Sequence, residues 1–592
     1  MHQEHSYRVR GHTCGDDTFF LRLGFGSRCL VVLAAAVLFL VSPLNAQGRT
    51  VDKQEPATRH LDLPLSQRDS TGVVRKAPLP KIDLPEYTIT GKGVIDLLAT
   101  DKQPAPEDSQ SSVVAALLNQ SPVRSRATAE SSLGAKEDIQ GPNEETYSGK
   151  VSASLGTFFS PRAGLWFGQT RGDYVYSVDG NYYRTEGFAP YTDRSGGDAN
   201  LSGSTRLTTY NPYFDQSKIS AAMAYRSDTY HWYGAPDPRI SRNRTNLGLD
   251  AVISNWDRSP IPYTGKLGFQ NFQVSDSSTT VAESRFTFGG MTRLLLFAVP
   301  LNLGVQGEAG AVSYANSSAG LSLFELSVGS QRYEWNQWSL EGSLHGYLAH
   351  GMDHQAIVRL YPHLNAAYQF GDMHTVSVTY APVIGPASLA SKVFANRYVS
   401  SFSTIKHTDD QQDVTLAIES SWSAQTRTRF AARVQSMKDY PLYADSLSQG
   451  VWQLAYGGRT TITSFSGEVF AKLPSNDYFA AQVVASISDN TVTGSGIPYL
   501  PVFEVGASYT RQFFRRWTGI ARLTLIHERK DNVVRINTLP SILLIGLRCE
   551  YNVIRQATVF LDVRNLLDEE YEYWKGYQEE PFVISGGIAL RW

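Results

Sequence analysis

From Tyr147 to Trp592 the chain alternates. Apolar and polar side chains change places residue by residue, in segments broken by Gly, Asn, Asp, Ser and Pro. In Ala557–Arg564, Ala557, Val559, Leu561 and Val563 share one face, and only Phe560 breaks the polar character of the other. Phe465, Val469, Ala471 and Leu473 oppose Ser464, Ser466, Glu468 and Lys472. Val414, Leu416, Ile418 and Trp422 oppose Asp413, Thr415, Glu419 and Ser421. Thr428, Phe430, Ala432 and Val434 oppose Arg427, Arg429, Arg433 and Gln435. Ala356–Phe370 keeps one phase, with Arg359, His363, Asn365 and Gln369 on its more polar side. A β-strand sends successive side chains to opposite faces. A wall with lipid on one side and water on the other therefore imposes this rhythm. In lipid every backbone donor and acceptor must also be paired, which strands achieve only in a closed sheet. The segments match the roughly 9–11 residues of a tilted membrane strand and exceed the roughly 5–6 of an ordinary soluble one. The predicted fold class is all-β: a transmembrane antiparallel β-barrel of about 22 strands, an even number. Connections read as short throughout, so few large loops are expected.

The N-terminal part differs. A single long apolar run, Leu30–Val41, follows Arg22 and Arg28, is broken by Ser42-Pro43 and leads to Leu44-Asn45-Ala46. This is the arrangement of an export signal, predicted over residues 1–46. Residues 47–146 are polar and interrupted by proline, and are expected to form a mostly disordered extension. Residues 147–592 are assigned to the barrel. Cleavage after Ala46 would leave Cys549 as the one thiol, so no internal disulfide framework is expected. Charged residues make up 19% of the chain and aromatics 11%, with a formal net charge of −2. Without a basic excess, nucleic acid is not an expected partner.

The chain ends Phe582-Val583-Ile584-Ser585-Gly586-Gly587-Ile588-Ala589-Leu590-Arg591-Trp592. Phe582, Ile584, Ile588, Leu590 and Trp592 lie on one face, and the last residue is aromatic. Such a strand resembles the signal read by the machinery that assembles outer-membrane barrels. Val559–Asp568, with its Asn565-Leu566-Leu567-Asp568 turn, then Tyr571 and Gly576-Tyr577, resemble the end of TonB-dependent receptors. Glu579-Glu580-Pro581-Phe582 departs from the Pro-Gly-Arg step common there. Leu84–Gly91 resembles the acidic, then β-branched start of such receptors. Within it Tyr87, Thr88, Ile89, Thr90 and Gly91 match the box that pairs with the energy-coupling protein TonB by adding a strand to its sheet. The resemblance implies the cell outer membrane of a Gram-negative-type bacterium, a surrounding of outer-membrane lipid, TonB as a partner, and an unidentified solute that is passed or bound. It also implies a globular plug ahead of the barrel. Residues 92–146 are too few and too polar for one, so a plugless barrel is expected.

Other chemistry is weaker. His345, His350, His354, His363 and His374 cluster in the sequence without the tight ligand spacing of a structural zinc site. No metal and no cofactor are expected. Ser and His are available for a lipid hydrolase, but nothing singles out a triad, and the chain is not expected to be an enzyme. A structural or surface-interaction barrel and a lipid-modifying enzyme remain the alternatives to transport. Arg359, Arg427, Arg429, Arg433, Glu468, Lys472 and Glu504 fall on the polar faces. They are the candidate charges of the barrel interior.

Overall fold

The computed structural model describes residues 148–592, apart from 256–260, 277–278, 297–298, 315–316, 354, 424, 446–448, 474–476, 495, 515 and 533–536. The signal segment, the polar extension, the TonB-box-like residues Tyr87–Gly91 and any plug lie outside the described residues.

Twenty-two long strands follow one another along the chain. They are β1 (Gly149–Gly156), β2 (Arg162–Arg171), β3 (Tyr174–Thr185), β4 (Arg194–Arg206), β5 (Lys218–His231), β6 (Ser241–Asn255), β7 (Tyr263–Ser275) and β8 (Thr280–Leu296). β9 (Val299–Tyr314), β10 (Ser317–Ser330), β11 (Trp338–His350), β12 (Ala356–Phe370), β13 (His374–Tyr380), β14 (Thr408–Ser423) and β15 (Thr426–Lys438) continue the series. β16 (Arg459–Lys472), β17 (Tyr478–Asn490), β18 (Phe503–Phe513), β19 (Trp517–His527), β20 (Ile542–Ile554), β21 (Ala557–Arg564) and β22 (Val583–Arg591) complete it. Each pairs antiparallel with its neighbours in sequence, and β22 returns to β1 from Lys150↔Arg591 to Gly156↔Ser585. The sheet therefore has no edge, which is the condition for strands to span lipid.

The alternation decides which side chain meets what. On β12, Val358 and Leu360 are 66% and 65% exposed, whereas Ile357, Arg359 and Tyr361 between them are half-buried. Leu416 and Ile418 on β14, Phe430 and Val434 on β15, and Leu561 on β21 are likewise exposed on the outer face. Large apolar side chains in such numbers on an outer surface need lipid to cover them. Ile588, Leu590 and Trp592 are about half exposed on the same face of β22. Asp at both Leu590 and Trp592 should cut outer-membrane insertion strongly. A charge on a lipid face costs about 2–4 kcal/mol at the midplane and less near the interfaces, so lost recognition supplies much of the effect. Heat-modifiable migration of membrane fractions is the readout, and normal insertion of the double variant would refute the assembly-signal reading.

The loops overturn the expectation of short connections. At one end the turns are brief, as at 172–173, 371–373 and 555–556, with 207–217 the longest among the described residues; both Ser148 and Trp592 lie at this end. At the other end stand 381–407, 439–458, 491–502, 528–541 and 565–582. Short turns on one side and long connections on the other match the periplasmic and extracellular sides of outer-membrane barrels. Alternation could not reveal these connections, because they carry apolar residues with no period of their own. One holds the short helix α1 (Leu389–Ala395).

Candidate functional site

The long connections turn inward and pack together in the mouth of the barrel. Leu389, Ala390 and Val393 of α1, with Tyr398 and Val399, meet the inner wall at Tyr230, Phe272, Val274, Val281, Val312 and Leu321. Tyr443, Trp452 and Leu454 join from 439–458, Tyr499 from 491–502, Leu539 from 528–541, and Trp574 and Tyr577 from 565–582. Trp452 and Tyr577 are fully buried. Their rings interlock: Tyr398 stacks on Tyr577 with centroids 3.5 Å apart, and Trp452 meets Trp574 edge-on at 5.2 Å. A cluster of this kind in water is held by the apolar area it removes from solvent.

Three connections approach so closely that only glycine fits. A Cβ on Gly234 would lie 2.4 Å from the carbonyl oxygen of Gly576, and one on Gly450 would lie 2.5 Å from that of Gly234. Gly450 and Gly576 also have φ of 67° and 80°, where a side chain is strained. Tyr577 donates to the carbonyl of Gly450 at 2.8 Å, and Tyr233 to that of Gln578 at 2.7 Å.

Charge fixes the first connection to the wall. Ser388 is the N-cap of α1 and accepts from the Ser391 amide. Glu283, on β8, accepts from the Ala390 amide at 2.7 Å, so a carboxylate meets the positive end of the helix. At the other end Arg244, on β6, donates to the Val393 carbonyl at 2.9 Å while gripping Asp228 with two further nitrogens. Arg242 donates to the Val399 carbonyl at 2.6 Å and pairs with Asp276 at 2.6 Å. Arg285 pairs with Glu308 and donates to Ser388. Each arginine serves a carboxylate and the connection at once, so the buried charges are both paired and hydrogen-bonded.

His407 closes the segment. Its Nδ1 accepts from the Ala387 amide at 3.1 Å, and its Nε2 faces the His350 carbonyl at 3.3 Å. Burial pushes its pKa below the usual value. The neutral ring is thus the form that fits, and a released connection would bind the proton more readily. The closed state should keep its full stability above the ordinary histidine pKa of about 6.5 and lose some as pH falls below it. Protease accessibility of 381–407 should rise between pH 7 and pH 5, and the change should vanish in His407→Gln; an unaltered pH response in that variant would contradict the assignment.

Three of the seven candidate interior charges, Arg359, Arg429 and Arg433, have carboxylate partners. Arg359 pairs with Asp409 at 2.9 Å, Arg429 with Glu419 at 3.1 Å, and Arg433 grips Asp413. Glu468 lies opposite Arg429 in the ladder, and Glu504 opposite Ile526 and Val484. Lys472 sits 5.7 Å from the centre of the Tyr478 ring. Arg427 is exposed near the short-turn end. Beside Arg359, Lys406 and His407 a cavity of about 30 Å³ remains, room for about one water and no solute.

Two further groups come together. Ser343 Oγ is 2.7 Å from His345 Nε2, and His345 Nδ1 is 2.6 Å from Glu325. This has the order of a nucleophile, a base and its orienter. However, Ser343 sits inside ladders with both β10 and β12, which occupy the backbone amides that an oxyanion site needs. His345 also stacks on His363 at 3.7 Å. Among the described residues no group of three or more His, Cys, Asp or Glu is arranged for a metal ion.

A closed antiparallel barrel of 22 strands with an apolar outer belt and long connections on one side is an outer-membrane barrel. No family model and no curated protein matches the sequence. Solved structures do match. The FrpB iron transporter from Neisseria meningitidis is similar at a TM-score of 0.60 and 8% identity, over 77% of this chain and 83% of that one. The siderophore receptor PiuA from Acinetobacter baumannii gives 0.58 at 11% identity, over 76% and 82%. The ferripyoverdine receptor of the Pseudomonas aeruginosa outer membrane, solved with ferripyoverdine bound, gives 0.58 at 11%, over 76% and 72%. At such identities the likeness establishes the fold, that of TonB-dependent receptor barrels.

Proposed function

We propose that the chain is a transport-type outer-membrane barrel whose solute path is closed at the mouth by its own inward-folded connections. The observation that carries this reading is the attachment of 381–407 to the inner wall through Glu283, Arg242, Arg244 and Arg285. A wide barrel left open would make the membrane leaky, and here side chains of five connections occupy the mouth. The similar structures named above as an iron transporter and as siderophore receptors support a role in passing or binding a solute. The polar interior, in which Arg359, Arg429 and Arg433 are paired, suits a wet path.

The barrel acts without classical plug gating in this reading. Uptake of a small radiolabelled solute by cells should survive Ile89→Pro, which removes a backbone donor needed by an added strand. It should also survive loss of TonB. Uptake that requires both TonB and an intact Tyr87–Gly91 would restore the energised receptor reading.

A further inference from the structure

The inner wall carries a second charged feature, at the opposite end from the closed mouth. On that stretch the inward faces present Lys150 (β1), Arg206 (β4), Lys218 (β5), Lys266 (β7), Arg427 (β15) and Lys472 (β16). Their inward direction follows from the phase: Val151, Leu267 and Phe430, each of opposite phase to a neighbouring cation, are exposed on the lipid side. Of the acids on this stretch, Glu419 and Glu550 are taken by Arg429 and Arg548, and Glu468 faces Arg429 across the ladder. Among the described residues Lys150, Lys218, Lys266 and Arg427 have no carboxylate partner.

Two ladder positions bring cations opposite one another. Arg206 lies directly opposite Lys218 in the β4–β5 ladder, and Lys150 directly opposite Arg591 where β1 meets β22. Like charges facing each other across a ladder destabilise it. The four cations without a carboxylate partner make this ring a surface for an anionic occupant.

The chain supplies one. Residues 127–146 contain Glu130, Glu137, Asp138, Glu144 and Glu145 against a single Lys136. This segment runs into Ser148, whose amide donates to the Trp592 carbonyl at 2.7 Å, at the basic end and two residues from Lys150. Twenty-two strands spaced about 4.8 Å and tilted about 40° make a mouth roughly 45 Å across. Twenty residues reach up to about 70 Å when extended. The segment can therefore contact cations anywhere on the ring.

We infer that the acidic segment 127–146 docks on the basic inner ring at the short-turn end, so that the chain neutralises its own second mouth. The attraction acts between groups open to water and is screened by salt within about 10 Å at 0.1 M and about 3 Å at 1 M. It stands whether or not a solute crosses the barrel.

The test is carbodiimide cross-linking of the full-length protein in detergent, with peptides identified by mass spectrometry. Lys575 and Asp531, 2.6 Å apart, provide the internal control. The expected result is amide links from Glu137, Asp138, Glu144 or Glu145 to Lys218, Lys266 or Lys472 at about 50 mM salt. They should fall several-fold at about 1 M salt while the control pair persists. Changing the five acids to Gln and Asn should also increase binding of the trisulfonate dye pyranine, read by anisotropy, because the ring is freed. The proposal is overturned if the control links form at low salt and the segment does not link to the ring. It is equally overturned if pyranine binds the wild type and the acid-neutralised variant alike, which would make a free anion the occupant. Unchanged heat-modifiable migration of the variant shows that the barrel has folded.

Discussion

Arg244→Ala frees the connection 381–407 from the wall and opens the mouth. Arg244 and Asp228 are both buried, and the same guanidinium holds the Val393 carbonyl. Removing it leaves a buried carboxylate without the cation that grips it, a change that costs up to about 3–5 kcal/mol with Arg226 and Arg397 still nearby. That cost falls on the closed arrangement, since an opened mouth lets water reach Asp228. A shift of about 3 kcal/mol raises the open fraction by more than roughly a hundredfold. Heat-modifiable migration should be preserved, because the ladder between β5 and β6 does not depend on this pair. The measurement is efflux of a small dye from liposomes, and efflux equal to that of the wild type would contradict the role given to Arg244.

Trp452→Ala should loosen the same cluster from its centre. Trp452 is fully buried and touches Tyr499, Trp574 and Tyr577 through edge-on or tilted contacts. Truncating a buried Trp costs about 3–5 kcal/mol, the removed area and the cavity both contributing. Its partners lie on different connections, so the loss spreads to 491–502 and 565–582. Near-ultraviolet circular dichroism should lose its aromatic signal at a lower temperature, while the far-ultraviolet β-spectrum persists to the wild-type melting point. Trp452→Phe should fall between the two. A single transition shifting both signals together would mean that the mouth is not a separately melting unit.

The wall was legible because its physics is repetitive. In Ala356–Phe370 each lipid-facing position is also a sequence position of fixed parity, so Val358, Leu360 and Leu364 could be assigned without knowing any partner strand. The strand number followed from the same count. The terminal motif was legible in another way: Asn565 and Asp568 have φ of 49° and 54°, a conformation that Asn and Asp tolerate better than most. Asp568 then accepts from the Phe582 amide at 2.8 Å, and Tyr577 enters the mouth cluster.

The mouth itself was not legible. Arg242 and Arg244 sit two apart on one strand, a pattern shared with Arg427 and Arg429, and no local feature marks the first pair as gripping a connection far along the chain. Glu283 and α1 are linked only through folding. Seven residues are too few for helical periodicity to stand out, although Ser388 followed by Leu389 and Val393 is a cap with one apolar face. Trp452 and Trp574 lie in segments without alternation, which read as plain connections.

Single-channel recording in planar bilayers at about 1 M KCl tests the central claim most directly, since that salt also screens the acidic segment. The purified full-length protein is compared with a variant in which residues 386–404 are replaced by a short Gly-Ser bridge. The expected result is a silent or rarely opening wild type and a steady, large conductance in the variant. A wild type that conducts at the variant's level, or a correctly inserted variant that stays silent, would contradict closure by the inward-folded connections.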